Sequence, residues 1–187
     1  MLAHQQQINQ QEIVVVLEDE SHLLWGDACG YGWGKTGERL TVPVGNAKQR
    51  QSYFGALNGK TGELFLQPAP KADSAATVAF LEQLRQHYQG KQLWVIWDNA
   101  SYHTGQVVKD YLHKVNGQLP QEQWPLTLIG LATNAPEQNP IEQVWLDGKT
   151  KLRKQAGLNS FAQVKKCFVD AITDNTYKYE KFNWYFP

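Results

Sequence analysis

Two aspartates stand where strongly apolar runs give out. Asp19 lies just beyond Ile13-Val14-Val15-Val16-Leu17, in the middle of Glu18-Asp19-Glu20, and Asp98 directly follows Gln92-Leu93-Trp94-Val95-Ile96-Trp97. Runs of this kind suit strands buried on both faces. If the two strands are parallel neighbours, they run about 4.8 Å apart. Both carboxylates then emerge side by side at the C-terminal edge of the sheet, where α/β folds place ligands. Carboxylates that close stay ionised together only with a cation between them. Hard ions such as Mg²⁺ are held by one or two carboxylates plus substrate phosphates. Either aspartate alone reads first as a strand end meeting water.

A third acid sits in Asn139-Pro140-Ile141-Glu142-Gln143-Val144-Trp145. Read locally, this is a helix start, with Asn139 as N-cap, Pro140 at the first helical position and Glu142 reaching back as a capping-box glutamate. Read chemically, Glu142 is a third metal-facing carboxylate carried on a rigid helix end. From Glu142 one helical face continues through Lys149 and Arg153, with Lys151 and Lys154 nearby. Such a basic stripe suits a phosphodiester backbone. Ile141, Val144, Trp145 and Leu152 form the opposite face, which packs on the sheet.

The elements that must position these residues follow from periodicity and turn chemistry. Leu40–Val44 and Ser52–Leu57 read as strands, and Asn58-Gly59-Lys60-Thr61-Gly62 turns the chain into a hairpin partner at Glu63–Gln67. Asp73 or Ser74 caps a helix running to about Gln89. Strand Gln92–Trp97, a helix over Val107–Val115, strand Leu126–Leu131 and helices near 140–155 and 160–174 follow. Antiparallel strands first and strand–helix units later imply a mixed sheet flanked by helices. The Gln-rich residues before Ile13 read as a loose tail or linker remnant, and residues 176–187 as an aromatic C-terminal tail; 13–175 is the folded domain between them.

The chain has 187 residues, which fits one domain, and 42% hydrophobic content, enough to bury a core. No apolar run approaches the roughly 20 residues of a membrane-spanning helix, and nothing points to a membrane partner. Cys29 and Cys167 make no disulfide framework, which favours a reducing, intracellular setting. With 18 Lys+Arg against 18 Asp+Glu the net charge is zero, a balance that by itself argues against nucleic acid. The charge is unevenly placed, however. Residues 1–147 hold 10 basic and 15 acidic side chains, and residues 148–187 hold 8 and 3. The basic excess begins just beyond Glu142.

Leu17-Glu18-Asp19-Glu20-Ser21, Trp97-Asp98-Asn99-Ala100-Ser101-Tyr102-His103 and Asn139-Pro140-Ile141-Glu142-Gln143-Val144-Trp145 resemble, in this order, the signatures of DDE transposases. The nearest branch is that of mariner-like bacterial insertion sequences, and the resemblance covers roughly residues 13–155. It implies an α/β fold of the RNase H-like kind, a mixed five-stranded sheet flanked by helices. The catalytic triad would be Asp19, Asp98 and Glu142, holding two divalent ions, Mg²⁺ or Mn²⁺. One ion activates a water and later a DNA 3′-hydroxyl, and the other steadies the leaving oxygen. The implied reaction is cleavage at element ends followed by strand transfer into target DNA. Asn99 and His103 would stand at the rim near DNA phosphates, His103 reading alternatively as a core histidine, with Lys149, Lys151, Arg153 and Lys154 on the DNA. The implied setting is the bacterial cytoplasm at the nucleoid, as a homodimer on paired DNA ends.

The sequence departs from the family pattern in three places. The Asp98–Glu142 interval, 43 residues, is longer than usual, and polar residues 116–123 accommodate the excess as a surface loop. Thr133–Gln138 replaces the usual Pro-rich approach, which makes Glu137 a weak competitor of Glu142. The helix-turn-helix domains that read terminal repeats are expected on a separate polypeptide or on a missing N-terminal half. A catalytically inactive remnant that only binds DNA and an RNase H-like nuclease outside transposition are the alternatives; a glycosidase leaves the basic stripe unexplained.

Overall fold

The computed structural model describes residues 2–29, 35–38, 49–132, 138–155 and 157–178. The strand expected over Leu40–Val44, the stretch Gly30–Gly34, Glu137 and the aromatic residues beyond Lys178 lie outside the described residues.

The first residues do not form the loose tail that their composition suggests. A short helix, α1 (Gln5–Asn9), is held by its single apolar residue, Ile8, which is buried against Ile13, Val15 and Ile96. Then come β1 (Ile13–Leu24), β2 (Arg50–Asn58), β3 (Leu64–Ala69), α2 (Ser74–His87), β4 (Gln92–Trp97), α3 (Gln106–Asn116), β5 (Leu126–Gly130), α4 (Ile141–Arg153) and α5 (Phe161–Thr173). The five strands make one mixed sheet in the order β3-β2-β1-β4-β5. β1 runs antiparallel to β2 and parallel to β4, and β5 is parallel to β4.

β1 extends well past its apolar run because β2 follows it to Leu24. β4 leaves it earlier, after Leu17↔Ile96. From Glu18 onward β1 therefore has a paired strand on one side only, and its burial changes from continuous to alternating. The acidic triplet falls at that notch.

The turn from β2 to β3 is set by Asn58, whose Oδ1 accepts the backbone N–H groups of Lys60 and Thr61 at 2.9 and 3.0 Å. Gly62 closes it at φ +73°, and a Cβ there would fall 2.0 Å from the Tyr177 carbonyl oxygen, so only glycine fits. Tyr177 donates its N–H back to Gly62 and buries its ring in the core. Asp73, not Ser74, caps α2 by accepting from Ala76; the Ser74 hydroxyl instead donates to Tyr102 O.

Alternation along the strands divides the core. Val14, Val16, Phe54, Ala56 and Val95 pack under Phe80, Leu84 and Val108 of α2 and α3. Leu17, Leu23, Tyr53 and Leu57 pack under Ile141, Val144, Trp145 and Phe168 of α4 and α5. Burying the apolar faces of these helices, at about 25 cal/mol per Å², is what holds the helix layers to the sheet. Both cysteines are free thiols. Among the described residues no helix is long and apolar enough to cross a membrane.

Candidate active site

The period of two along β1 separates the acidic triplet. Asp19 follows Leu17 onto the α4 side of the sheet, while Glu18 and Glu20 follow Val16 onto the α2/α3 side. Asp19 Oδ2 accepts a hydrogen bond from Trp145 Nε1 of α4 at 2.9 Å. The last β1–β4 pair is Leu17↔Ile96, so two residues further along each parallel strand come Asp19 and Asp98, the adjacency that the sequence implied. Asp98 is more than half exposed, and its Oδ1 accepts the Ala100 N–H at 2.9 Å.

Glu142 is exposed in the first turn of α4, and the way that helix starts corrects the capping-box expectation. The cap position falls on Pro140 and no side chain caps the helix. The buried Asn139 amide turns the other way and donates to the Glu18 carbonyl oxygen at 2.9 Å. Asn139 thus ties the head of α4 to β1 across the site, and Glu142 is released from capping.

The electrostatics show three acids acting on one another. Burial, followed by the charges of Glu142 and Glu20, pushes Asp19 up to about 8, against the opposing effect of the Trp145 hydrogen bond. Burial and then the charge of Asp98 raise Glu142, while Lys149 lowers it. The charge of Asp98 thus disfavours ionisation of Glu142, and that of Glu142 disfavours ionisation of Asp19, the condition that a divalent cation relieves.

On the other side of β1 lies a cluster that sequence reasoning did not assemble. Ligand atoms of Glu18, Glu20 and His103 all lie within 4.8 Å of one another, a spacing that Asp19, Asp98 and Glu142 do not share. His103 Nε2 donates to Glu20 Oε1 at 3.1 Å. Its Nδ1 donates to the Asp98 carbonyl oxygen at 3.3 Å and stands 3.0 Å from Asp98 Oδ1. Both ring nitrogens face oxygen atoms, of Glu20 and of Asp98, a setting that favours the doubly protonated ring. Burial opposes that charge, but the hydrogen bond and charge of Glu20, followed by Asp98, outweigh it and raise the imidazole. Glu18, fully buried, has neither carboxylate oxygen hydrogen-bonded, its Oε2 lying 3.7 Å from His103 Nε2; burial and then the charges of Glu20, Asp19 and Asp98 raise it well above the ordinary range.

His103 is only 3% exposed, which corrects its placement on the DNA-facing rim: it is a core histidine stacked flat on Trp97, with centroids 4.2 Å apart. Asn99 remains exposed but uses its amide to donate to Leu131 O at 2.7 Å, joining the ends of β4 and β5. Lys149 donates to His22 O at 3.1 Å and pairs with Asp27 at 3.6 Å. Lys151 donates to Ala171 O at 3.0 Å in α5. Arg153 and Lys154 are exposed at the end of α4. The stripe therefore spends two of its four cations within the fold.

Glu20, Tyr102, Asn139 and Trp145 all carry contacts to the site, and the sequence assigned none of them that role. Tyr102 donates its hydroxyl to Glu20 Oε2 at 3.1 Å. Period two along the run does put Glu20 on the Glu18 face, away from Asp19. Nothing in the sequence says that the Trp145 indole reaches across to Asp19.

Comparison with known proteins places this geometry. The family model described as DDE superfamily endonuclease matches residues 14–165. A comparison with curated protein sequences found no match. Among solved structures, the Mos1 transposase paired-end complex with left transposon end superposes at TM-score 0.61 with 15% identity, covering 98% of this chain and 55% of that one. The Mos1 mariner paired-end complex with Mn gives TM-score 0.61 and 17% identity over 98% and 55%. The catalytic domain of Mos1 mariner transposase gives TM-score 0.56 and 16% identity over 98% and 79%. The chain spans little more than half the length of the first two. These likenesses share the RNase H-like arrangement of five strands flanked by helices. Together with a family match over most of the chain, they lead to one conclusion: this protein belongs to the DDE superfamily endonucleases.

Proposed function

We propose that this chain is the catalytic domain of a mariner-like transposase of the bacterial insertion-sequence branch. It would cleave DNA phosphodiester bonds at element ends and join the 3′-hydroxyl ends to target DNA. The observation that supports this reading is geometric: Asp19 and Asp98 lie two residues beyond the last pair of the adjacent parallel strands β1 and β4, and Glu142 stands in the first turn of α4, whose head Asn139 ties to β1. In this reading residues 13–175 are the catalytic domain.

The donor set fits hard divalent ions, all three groups being carboxylates. Asp19 and Asp98 each have one oxygen engaged by a protein N–H, Trp145 Nε1 on Oδ2 and Ala100 N on Oδ1 respectively. That geometry orients a monodentate ligand. Asp19, Asp98 and Glu142 would hold Mg²⁺ or Mn²⁺, two ions in all, whose chemistry is to activate the attacking oxygen and stabilise the leaving one. The chain's own residues orient the carboxylates, exclude water behind Asp19 with the Trp145 ring, and present Asn99, Arg153 and Lys154 outward for DNA. Lys149 and Lys151 stay in the proposed DNA face as charges, although their ammonium groups also brace the fold. End recognition by a helix-turn-helix polypeptide, a second copy on paired ends and a place at the cytoplasmic nucleoid belong to the same proposal.

The test is strand transfer: a labelled duplex with a recessed 3′-hydroxyl is incubated with plasmid and Mn²⁺, alone and with a helix-turn-helix partner. Joined product with the wild type and none with Asp98→Asn supports the proposal. Cleavage without joining points to a non-transposing nuclease. DNA binding with neither activity points to an inactive remnant.

A further inference from the structure

The histidine expected at the DNA rim is buried, and its surroundings give it other work. β4 ends on Trp97, whose ring is parallel to the His103 imidazole within 3°, at a centroid distance of 4.2 Å. Tyr102 packs edge-on against the same imidazole at 76°. Held flat between these rings, the imidazole can direct its nitrogens only along its own plane. One edge points at Asp98, with Nδ1 3.0 Å from Oδ1 and 3.3 Å from the carbonyl oxygen. The other points at Glu20 Oε1, 3.1 Å away. Glu20 is fixed in turn by the Tyr102 hydroxyl on its second oxygen.

Asp98 needs such a support. It lies one residue past the end of β4, with no ladder hydrogen bond to hold it, and its side chain is 57% exposed. Its neighbour Asp19 is steadied by burial and by Trp145. The Ala100 N–H and the His103 Nδ1 side both act on Oδ1, and among the described residues no partner meets Oδ2. One oxygen is pinned from within the protein, and the other faces outward.

We infer that His103 is a positioning residue for the active site: a bridge from Glu20 on β1 to Asp98 beyond β4 that fixes the Asp98 carboxylate for metal binding. The relay couples the two strands just past the point where their backbone pairing stops. It rests on the reading of Asp98 as a metal ligand, and it explains why a histidine is buried against the carboxyl groups of Glu18, Glu20 and Asp98 without reaching DNA. Orienting groups behind a metal ligand typically set 10- to 100-fold in affinity, and this relay should act through affinity more than through chemistry at saturating metal.

The experiment measures metal binding directly. Tb³⁺ is titrated into the purified chain and read by luminescence sensitised through Trp97 and Trp145, Mn²⁺ is then used to displace it, and plasmid nicking is followed against Mn²⁺ concentration. His103→Asn keeps an N–H donor on the Asp98 side and His103→Gln keeps one on the Glu20 side, while His103→Phe keeps only the stacking. The inference predicts about three- to tenfold weaker binding for Asn, which keeps the Asp98 contact and loses the Glu20 anchor, and about 10- to 100-fold weaker binding for Gln and Phe. Nicking should recover at high Mn²⁺. If the Phe variant does not fold, Glu20→Gln carries the test, with binding weakened about three- to tenfold in a chain whose melting temperature is retained. Equal affinity across the variants overturns the inference alone. A wild-type chain that binds neither ion and does not nick overturns the proposed function with it. Tightly bound metal in the purified chain that is lost with His103→Phe also overturns it, because Glu18, Glu20 and His103 would then themselves be ligands.

Discussion

The Trp145 indole N–H donates a 2.9 Å hydrogen bond to Asp19 Oδ2, and β2 leaves room for that ring by carrying Gly55 directly opposite Asp19. A Cβ at Gly55 would lie 2.5 Å from Trp145 Cη2. The position of one core glycine thus determines whether a helix ring can reach the Asp19 carboxylate. The arrangement also limits the variation that the site tolerates.

Gly55→Ala should destabilise the chain by about 1–3 kcal/mol, the usual cost of overpacking a core, and should lower nicking beyond what the stability loss explains. Trp145→Phe should lose some stability to the smaller ring and reduce activity beyond that loss, since it keeps an aromatic side chain and removes the donor. Thermal melts and nicking rates on the same preparations separate the two effects. Full activity in Trp145→Phe would remove the indole from the account.

Gly148→Ala tests the packing of α4 on α5. Alanine favours a helix interior by about 1 kcal/mol over glycine, but here a Cβ would meet Ile172 Cγ2 at 2.5 Å and Phe168 Cε2 at 2.9 Å. Steric conflict at that range costs about 1–3 kcal/mol, so a net loss of stability is expected. A raised melting temperature would show that α5 gives way freely.

Asn139→Ala removes the donor to the Glu18 carbonyl oxygen and leaves a buried acceptor unpaired, at a cost of about 1–3 kcal/mol. Because that bond ties α4 to β1 across the site, activity should fall further than stability does. Asn139→Asp should be worse than alanine, since it places an acceptor against an acceptor. An aspartate variant as active as wild type would sever this link from Glu142.

In chelator, stability should decline as pH rises from about 5 to 8. Asp19 holds its proton up to about 8 in the folded chain against an ordinary 3.8, so over that window the folded state binds more protons than the unfolded one and loses stability with rising pH. The raised Glu142 and His103 act in the same direction, while His22, lowered chiefly by burial, acts against them. Asp19→Asn should flatten the melting-temperature profile. An unchanged slope would mean that Asp19 is ionised throughout.

The sequence was most legible where a residue's partners are local or periodic. The apolar runs ending at Leu17 and Trp97 specified buried strands, and strand adjacency then brought Asp19 and Asp98 together. The helical face of Ile141, Val144, Trp145 and Leu152 was correctly assigned to the core. What escaped is what depends on contacts between residues far apart in the chain. The Asn139 side chain had a complete local role as a cap and left it for a carbonyl 121 positions away. His103, at the rim by the resemblance and a core histidine by the alternative reading, is buried because Trp97, Tyr102 and Glu20 enclose it. Lys149 and Lys151 looked like free cations and serve carbonyls of other elements. The short helix at Gln5–Asn9 depends on a single isoleucine with no period to reveal it.

Supercoiled-plasmid nicking, measured against Mg²⁺ and Mn²⁺ concentration for the wild type, Asp19→Asn, Asp98→Asn and Glu142→Gln, tests the central claim most directly. The account predicts nicking by the wild type only when metal is present, with loss of about 10³-fold or more in each variant, on the scale of several kcal/mol of transition-state stabilisation. Nicking in chelator, or nicking that survives in any of the three variants while the chain remains folded, would contradict it.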